Sequence, residues 1–300
     1  MRHDLNLLRH AQRLALTAAV SALAALGLTI ITTKVALAEF EIQESQVEKG
    51  EVEVEYRGAV HWGFPKAERE EAEEGGEGAL DTEEAEAPLR QSHDFEAEWG
   101  VTNWWLLAIT LGTEQPLGED FNLTSVELET QVELKERKGN GIGLAFQAGY
   151  GIATIGGEAD EIEFGPIVEL ASGKALLTLN PLFTSQVGEN RETDSLGFEY
   201  GWRAQYNIAK KWAVGAEMFG EIEDLSHAGS FEDQQHSLGP TLFYMPGGGD
   251  DDDNGNGDDD DGRKVGGPPE MEISLNVGVQ FGLTDLTSDT ALKFQGSLGF

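Results

Sequence analysis

Acidic side chains recur at every second position in several segments of this 300-residue sequence. Segments 51–55, 94–98, 127–133 and 161–163 each carry two or three carboxylates at this spacing. A spacing of two places side chains on one face of a β-strand. Carboxylates that share a face attract cations and repel anions, and a buried carboxylate without a partner destabilises the fold. These segments therefore predict a surface that holds water or cations.

Catalysis requires other residue types, and their spacing here is unfavourable. The absence of cysteine excludes a thiol nucleophile and a thiolate metal site. Ser92 and His93 cannot form a hydrolytic pair, because adjacent strand residues point to opposite faces. One segment contains four candidate metal ligands without a compact spacing, namely His227, Glu232, Asp233 and His236. We expect neither enzyme activity nor a cofactor nor a defined metal site.

The acids belong to about twelve segments in which apolar and polar residues alternate. In the clearest case Val126 and Leu128 lie opposite Glu127 and Glu129. Most segments have about 10–14 residues, a length that suits a tilted strand crossing an outer membrane. The predicted strands are 51–60, 91–101, 103–113, 122–136, 141–152, 161–170, 174–186, 195–208, 211–221, 235–245, 271–281 and 290–300.

The links between these strands alternate between short and long, as in transmembrane barrels whose short turns are periplasmic. Aromatic residues near the strand ends suit the two interfaces of a membrane. They are Trp62, Trp99, Trp104, Trp105, Tyr150, Trp212 and Tyr244.

Both ends of the sequence carry export signals. Residues 1–38 combine a basic start, an uncharged apolar run and a terminal Ala36-Leu37-Ala38, which predicts a cleaved signal peptide rather than a membrane anchor. The last residues, ALKFQGSLGF, place Phe294, Leu298 and Phe300 on one face. This ending resembles the terminal assembly signal of Gram-negative outer-membrane β-barrel proteins.

The resemblance covers residues 39–300 and concerns an architecture rather than one member. It implies an all-β fold, an antiparallel up-and-down transmembrane barrel of about twelve strands, located in the outer membrane after secretory export. It also implies contact with outer-membrane lipid, periplasmic chaperones and the barrel-assembly machinery. The alternative is a secreted β-sandwich or solenoid.

The polar strand faces would line the lumen of such a barrel. We expect passive passage or uptake of small solutes, cations among them, through a wet, acidic lumen. The alternatives are a non-transporting structural or surface-interaction barrel, which a luminal plug would favour, and a lipid hydrolase of the outer membrane. The predicted lumen-lining residues are Glu53, Glu55, Glu96, Glu98, Glu127, Glu129, Glu133, Glu161, Glu163, Glu199, Arg203 and Glu272.

Two further acidic segments interrupt the strand pattern, at 66–88 and 247–267. Both lack the apolar residues needed for a packed structure, so we expect mobile inserts with weak association of Ca²⁺ or Mg²⁺. The net charge of -35 argues against nucleic acid as a partner. The second insert falls where a short periplasmic turn is expected. Either a long segment projects into the periplasm, or the strand count is wrong by one.

Overall fold

The computed structural model describes residues 40–63, 88–191, 193–246 and 272–300. They form a closed antiparallel barrel in which each strand pairs with its neighbours in the chain and the first also pairs with the last. The predicted fold and the number of strands are confirmed. The strands are β1 (Val52–Trp62), β2 (Leu89–Thr102), β3 (Trp105–Pro116), β4 (Asn122–Lys135), β5 (Gly141–Ala153), β6 (Asp160–Ser172), β7 (Ala175–Val187), β8 (Gly197–Ala209), β9 (Trp212–Ile222), β10 (Gln235–Tyr244), β11 (Glu272–Gly282) and β12 (Thr290–Gly299).

The two faces of each strand differ in the way that the alternation predicts. On β4, Leu128 and Leu134 are exposed on the outer face, whereas Glu127 and Gln131 are buried on the inner one. The same division runs around the barrel and leaves an apolar outer surface that lipid covers in a transmembrane barrel. Among the residues that the structure describes, no helix is long and apolar enough to cross a membrane.

The connections separate the two ends of the barrel. Links of two to five residues join β2 to β3, β4 to β5, β6 to β7 and β8 to β9 at one end, which we call the short-turn end. The connection from Tyr244 to Glu272 leaves and rejoins the barrel at this same end. The observed strand order therefore excludes a count wrong by one. The whole second insert, the first insert up to residue 87 and the predicted signal peptide lie outside the described residues.

Candidate functional site

Carboxylates from two alternate strands meet inside the barrel across a glycine. The register pairs Glu129 of β4 with Gly149 of β5, and Gly149 with Glu163 of β6. Neighbouring strands lie about 4.8 Å apart, so the missing side chain on β5 lets the two flanking acids approach each other. A Cβ atom at Gly149 would collide with Oε1 of Glu127 and lie 2.9 Å from Cγ of Glu163. The glycine thus makes room for the carboxylates.

A second inward row lies two residues away along β4, and here a threonine separates the two acids. Thr110 of β3 pairs with Glu96 of β2 on one side and with Glu127 of β4 on the other. The carboxylates form two groups in which one oxygen of each residue lies within 4.8 Å of the others. One group is Glu127, Glu129 and Glu163, and the other is Glu41, Glu96 and Glu129.

Residues 40–50, which precede β1 and which we call the plug, run along the lumen. The main chain of Gln43 donates to Oδ1 of Asn180 at 2.5 Å and accepts from Nδ2 of the same side chain at 3.1 Å. The side chain of Gln43 donates to Oε1 of Glu96 at 3.5 Å. Asn180 lies on β7 and Glu96 on β2, on opposite sides of the barrel, so the plug crosses the middle of the bore.

The C-terminal part of the plug, from Ser45 to Gly50, follows the wall to the short-turn end. Ser45 donates to Oε2 of Glu169, and the main-chain N–H of Val47 donates to Oε2 of Glu133 at 2.9 Å. The N–H of Gly50 donates to the carbonyl of Gly100 at 2.7 Å. Ser45 and Val47 are buried. The plug therefore packs against the wall through Ile42, Ser45 and Val47, whereas its last three residues, at the short-turn end, are exposed.

The N-terminal end of the plug contacts aromatic and basic side chains. The ring of Phe40 stacks on His61 at 5.8 Å between centroids and meets Phe219 edge-on at 5.1 Å. The carboxylate of Glu41 lies 2.8 Å from Nη2 of Arg57. Two small cavities of about 10 Å³ lie beside the plug, one next to Phe40 and Arg57 and the other next to Gln43. Each has room for about one water molecule.

Three basic side chains are buried inside the described barrel, and each forms ion pairs. Arg57 contacts Glu41, Glu55 and Glu96. Arg203 and Lys293 both contact Glu217, at 2.9 Å and 2.6 Å. None of the described ion pairs includes Glu127, Glu129 or Glu163. Basic side chains thus balance the carboxylates on one wall of the lumen. They do not pair with the acidic group on β4 and β6, which consists of Glu127, Glu129 and Glu163.

The structure places the predicted lumen-lining residues at different depths. Glu96, Glu127, Glu161, Glu163 and Arg203 are buried. Glu53, Glu55, Glu98, Glu129, Glu133 and Glu199 are half-buried, and Glu272 is exposed at the short-turn end. The plug carries Glu41 and Glu44, which the sequence analysis did not assign to the lumen. The run of polar residues from Gln43 to Gln46, just before β1, is the signal that could have placed it there.

The loop between β9 and β10 brings a serine, a histidine and an aspartate together without forming a catalytic relay. Oγ of Ser226 and Oδ2 of Asp224 both contact Nδ1 of His227, at 2.9 Å and 3.1 Å. A relay requires the serine and the carboxylate on different ring nitrogens. Hydrogen bonds from Ser226 hold the pKa of Asp224 below its usual range, as expected where a carboxylate caps a short 3₁₀ turn.

The candidate metal ligands of this loop also have separate roles. Asp233 accepts from the N–H and the hydroxyl of Ser230, each at 2.8 Å. His236 stacks on Phe231 and hydrogen-bonds to Tyr200. The four residues do not form either of the carboxylate groups whose ligand atoms converge.

Comparisons with known proteins agree on the architecture. No protein-family model matches the sequence, and no curated protein matches it significantly. An outer membrane channel from Pseudomonas putida F1 superposes with a TM-score of 0.53 at 8% identity, covering 87% of this chain and 100% of that chain. The KdgM porin in complex with disordered oligogalacturonate superposes with a TM-score of 0.44 at 9% identity, covering 83% of this chain and 98% of that chain. The similarity to the Pseudomonas putida channel shows that this chain has the barrel fold of an outer-membrane channel.

Proposed function

We propose that this barrel is an outer-membrane channel for small solutes, that its acidic lumen favours cations, and that the plug closes it in the state described. The observation that carries the proposal is the imbalance of charge in the lumen. Three buried bases face a much larger number of inward carboxylates, and none of the described ion pairs includes Glu127, Glu129 or Glu163. A narrow passage lined by one sign of charge concentrates counter-ions.

The chemistry of the plug supports a closed channel rather than a permanently filled barrel. Between Glu41 and Gly50 the plug is attached to the wall mainly by hydrogen bonds and ion pairs. Water can replace such contacts when the plug leaves, since the net contribution of one hydrogen bond to stability is only about 0.5–1.5 kcal/mol. The plug is also a separate segment, so its departure does not require any strand pairing to break.

A structural or surface-interaction barrel without transport is the second candidate. The observation that favours it is the filled bore at the level of Gln43, where Asn180, Glu96, Gln131 and Gln147 are all buried. A barrel with this interior would conduct nothing if the plug never moved. The two candidates therefore differ in what removal of the plug does.

Planar-bilayer recordings of the mature protein and of a variant without residues 40–49 test the proposal. We expect small or rare currents from the full chain and a large, steady conductance from the variant, with a reversal potential that indicates cation preference. The control variant lacks ten residues of the first acidic insert, 68–77, and keeps the plug. A silent or anion-preferring plug-free barrel contradicts the channel proposal, and silence supports the structural candidate.

Export and assembly complete the proposal. We propose that residues 1–38 are removed after secretion and that the C-terminal face guides chaperones and the assembly machinery. Leu298 is exposed on the outer face of β12, Phe300 is exposed directly after the end of this strand, and Phe294 is half-buried against Tyr56 and His93. Replacing Phe300 with alanine should reduce the amount of assembled barrel in outer membranes, measured as the heat-modifiable band on a gel, without changing the total amount secreted.

A further inference from the structure

The acidic group on β4 and β6 has the form of a cation site as well as of a pore lining. Glu127 and Glu129 lie two residues apart on the inner face of β4, and Glu163 reaches them across Gly149. Their ligand oxygens lie within 4.8 Å of one another. Two oxygens bound to one Ca²⁺ at about 2.4 Å each are separated by no more than about 4.8 Å. The three carboxylates therefore meet the distance limit for sharing one cation.

A separate observation points to a ligand at this position. Oε1 of Glu127 and Oε2 of Glu163 are buried and have no hydrogen-bond partner among the residues that the structure describes, and each residue is only 2% exposed. A buried carboxylate oxygen without a donor is strongly destabilising, and native structures rarely leave one. The hydroxyl of Thr110 donates to Oε1 of Glu129 at 3.1 Å, which orients that carboxylate and leaves its second oxygen for another partner.

The donor set selects the class of cation. Carboxylate oxygens are the ligands that hard divalent cations such as Ca²⁺ prefer, and no nitrogen or sulfur ligand is present in the group. The neighbouring group of Glu41, Glu96 and Glu129 is a poorer site, because Arg57 already pairs with Glu41 and Glu96. The charge of the guanidinium would repel a metal ion there.

We propose that Glu127, Glu129 and Glu163 bind one divalent cation of the Ca²⁺ class inside the barrel. Binding neutralises three carboxylates that take part in none of the described ion pairs. Because Glu129 also belongs to the group that contains Glu41 of the plug, a bound cation lies next to the segment that closes the bore. The binding site itself does not depend on the proposed transport, whereas an effect of the cation on the plug rests on it.

Calcium titration of the purified full-length protein in detergent, after treatment with EDTA, tests the site by calorimetry. The test variant is Glu163→Gln, which keeps the size of the side chain and removes its charge. The control is Glu272→Gln, which removes the same charge from an exposed inward position at the short-turn end. All three proteins keep both acidic inserts, so weak association with the inserts is common to them.

We expect the wild-type protein and Glu272→Gln to bind one Ca²⁺ more tightly than the inserts do, and Glu163→Gln to lose at least ~10-fold in that affinity, as metal sites lose on removal of supporting groups. Gly149→Ala removes no charge and should weaken the same site by collision with Glu127. This variant decides the question if Glu163→Gln does not fold. Equal affinity in wild type, Glu163→Gln and Gly149→Ala overturns the site and means that protons neutralise the group. The measurement uses no current, so a silent barrel leaves its outcome unchanged.

Discussion

Two buried acidic regions of the lumen differ in how their charge is balanced. On one wall the carboxylate of Glu217 accepts from Nε of Arg203 at 2.9 Å and from Thr241 at 2.7 Å, and Nζ of Lys293 lies 2.6 Å away. On the other wall Glu127 and Glu163 are about as buried, but they lie beside another carboxylate and take part in no ion pair of the described residues. The same side-chain type therefore stabilises one wall and destabilises the other unless a further ligand arrives.

Aromatic rings accentuate the difference. The guanidinium of Arg203 lies 5.1 Å from the centre of the Phe243 ring, and Nζ of Lys293 lies 5.1 Å from that of Phe219. Each cation is thus held between a carboxylate and a ring face, a favourable arrangement for a desolvated charge. The acidic wall has small inward residues instead, such as Gly149 and Thr110. One wall thus sets its cations between carboxylates and rings, whereas the other sets small residues beside its carboxylates.

Removal of the Glu217 charge should produce the largest effect. Glu217→Gln leaves Arg203 and Lys293 buried with no full counter-charge, since Glu44 lies 3.5 Å from Arg203 and contacts it more weakly. Loss of one partner from a buried ion pair lowers stability by about 3–5 kcal/mol. The free energy of unfolding, measured by urea titration of protein folded into lipid vesicles, should fall by this amount.

The matched control for that measurement is Glu272→Gln. It removes an inward carboxylate that is exposed, so the change should stay within about 0.5 kcal/mol. Similar losses in the two variants would mean that net charge, rather than the contacts of Glu217, decides stability. The contrast between the two walls would then have no energetic basis.

Sequence alternation was sufficient to predict the strands but not this contrast. A period of two specifies which side chains point inward, and the predicted bounds of β4 and β5 differ from the observed ones by one residue at most. It does not specify which inward side chains meet, because that depends on register and closure. Strict alternation along β4 would place Lys135 on the inner face, but it lies exposed at the end of the strand beyond a register shift.

Weakening the attachment of the plug should have an effect of intermediate size, because several polar contacts hold the plug to both walls. Asn180→Ala removes both hydrogen bonds to the main chain of Gln43 and leaves its N–H without that acceptor. We expect the closed state to lose about 1–3 kcal/mol relative to the plug-out state. A tenfold shift in the equilibrium corresponds to about 1.4 kcal/mol, so channel openings in bilayer recordings should become at least several-fold more frequent.

Thr178→Ala is the control for the plug. Thr178 is buried two residues away on the same face of β7, and its hydroxyl has no hydrogen-bond partner. This variant should open no more often than the wild-type barrel. If it opens as often as Asn180→Ala, the plug responds to loosening of β7 in general, and the contacts of Gln43 are not what holds it.

The position of the plug shows where sequence reasoning reached its limit. The stretch from Glu41 to Val47 is too polar for a lipid-facing strand, and it precedes β1 without a partner in the alternating pattern. Its destination depends on the volume and charge of a lumen that exists only after twelve strands close. The glycines of β5 gave a related hint. Gly149 and Gly151 both lie on the inner face of β5, between acids of β4 and β6. The sequence shows the two glycines, but only the strand register shows which acids lie beside them.

Neutralising the acidic wall should have the smallest effect on stability, and its sign should depend on calcium. In EDTA, Glu163→Gln relieves repulsion among carboxylates that lie within 4.8 Å, so unfolding should require up to about 1 kcal/mol more. With calcium at about 100 times its dissociation constant, a bound ion stabilises the wild-type barrel by about 2.7 kcal/mol, and the order of the two proteins should reverse. Urea titrations with EDTA and with calcium measure both values. A variant less stable than wild type in EDTA would mean that Glu163 already has a favourable partner, and the acidic wall would then resemble the wall of Glu217.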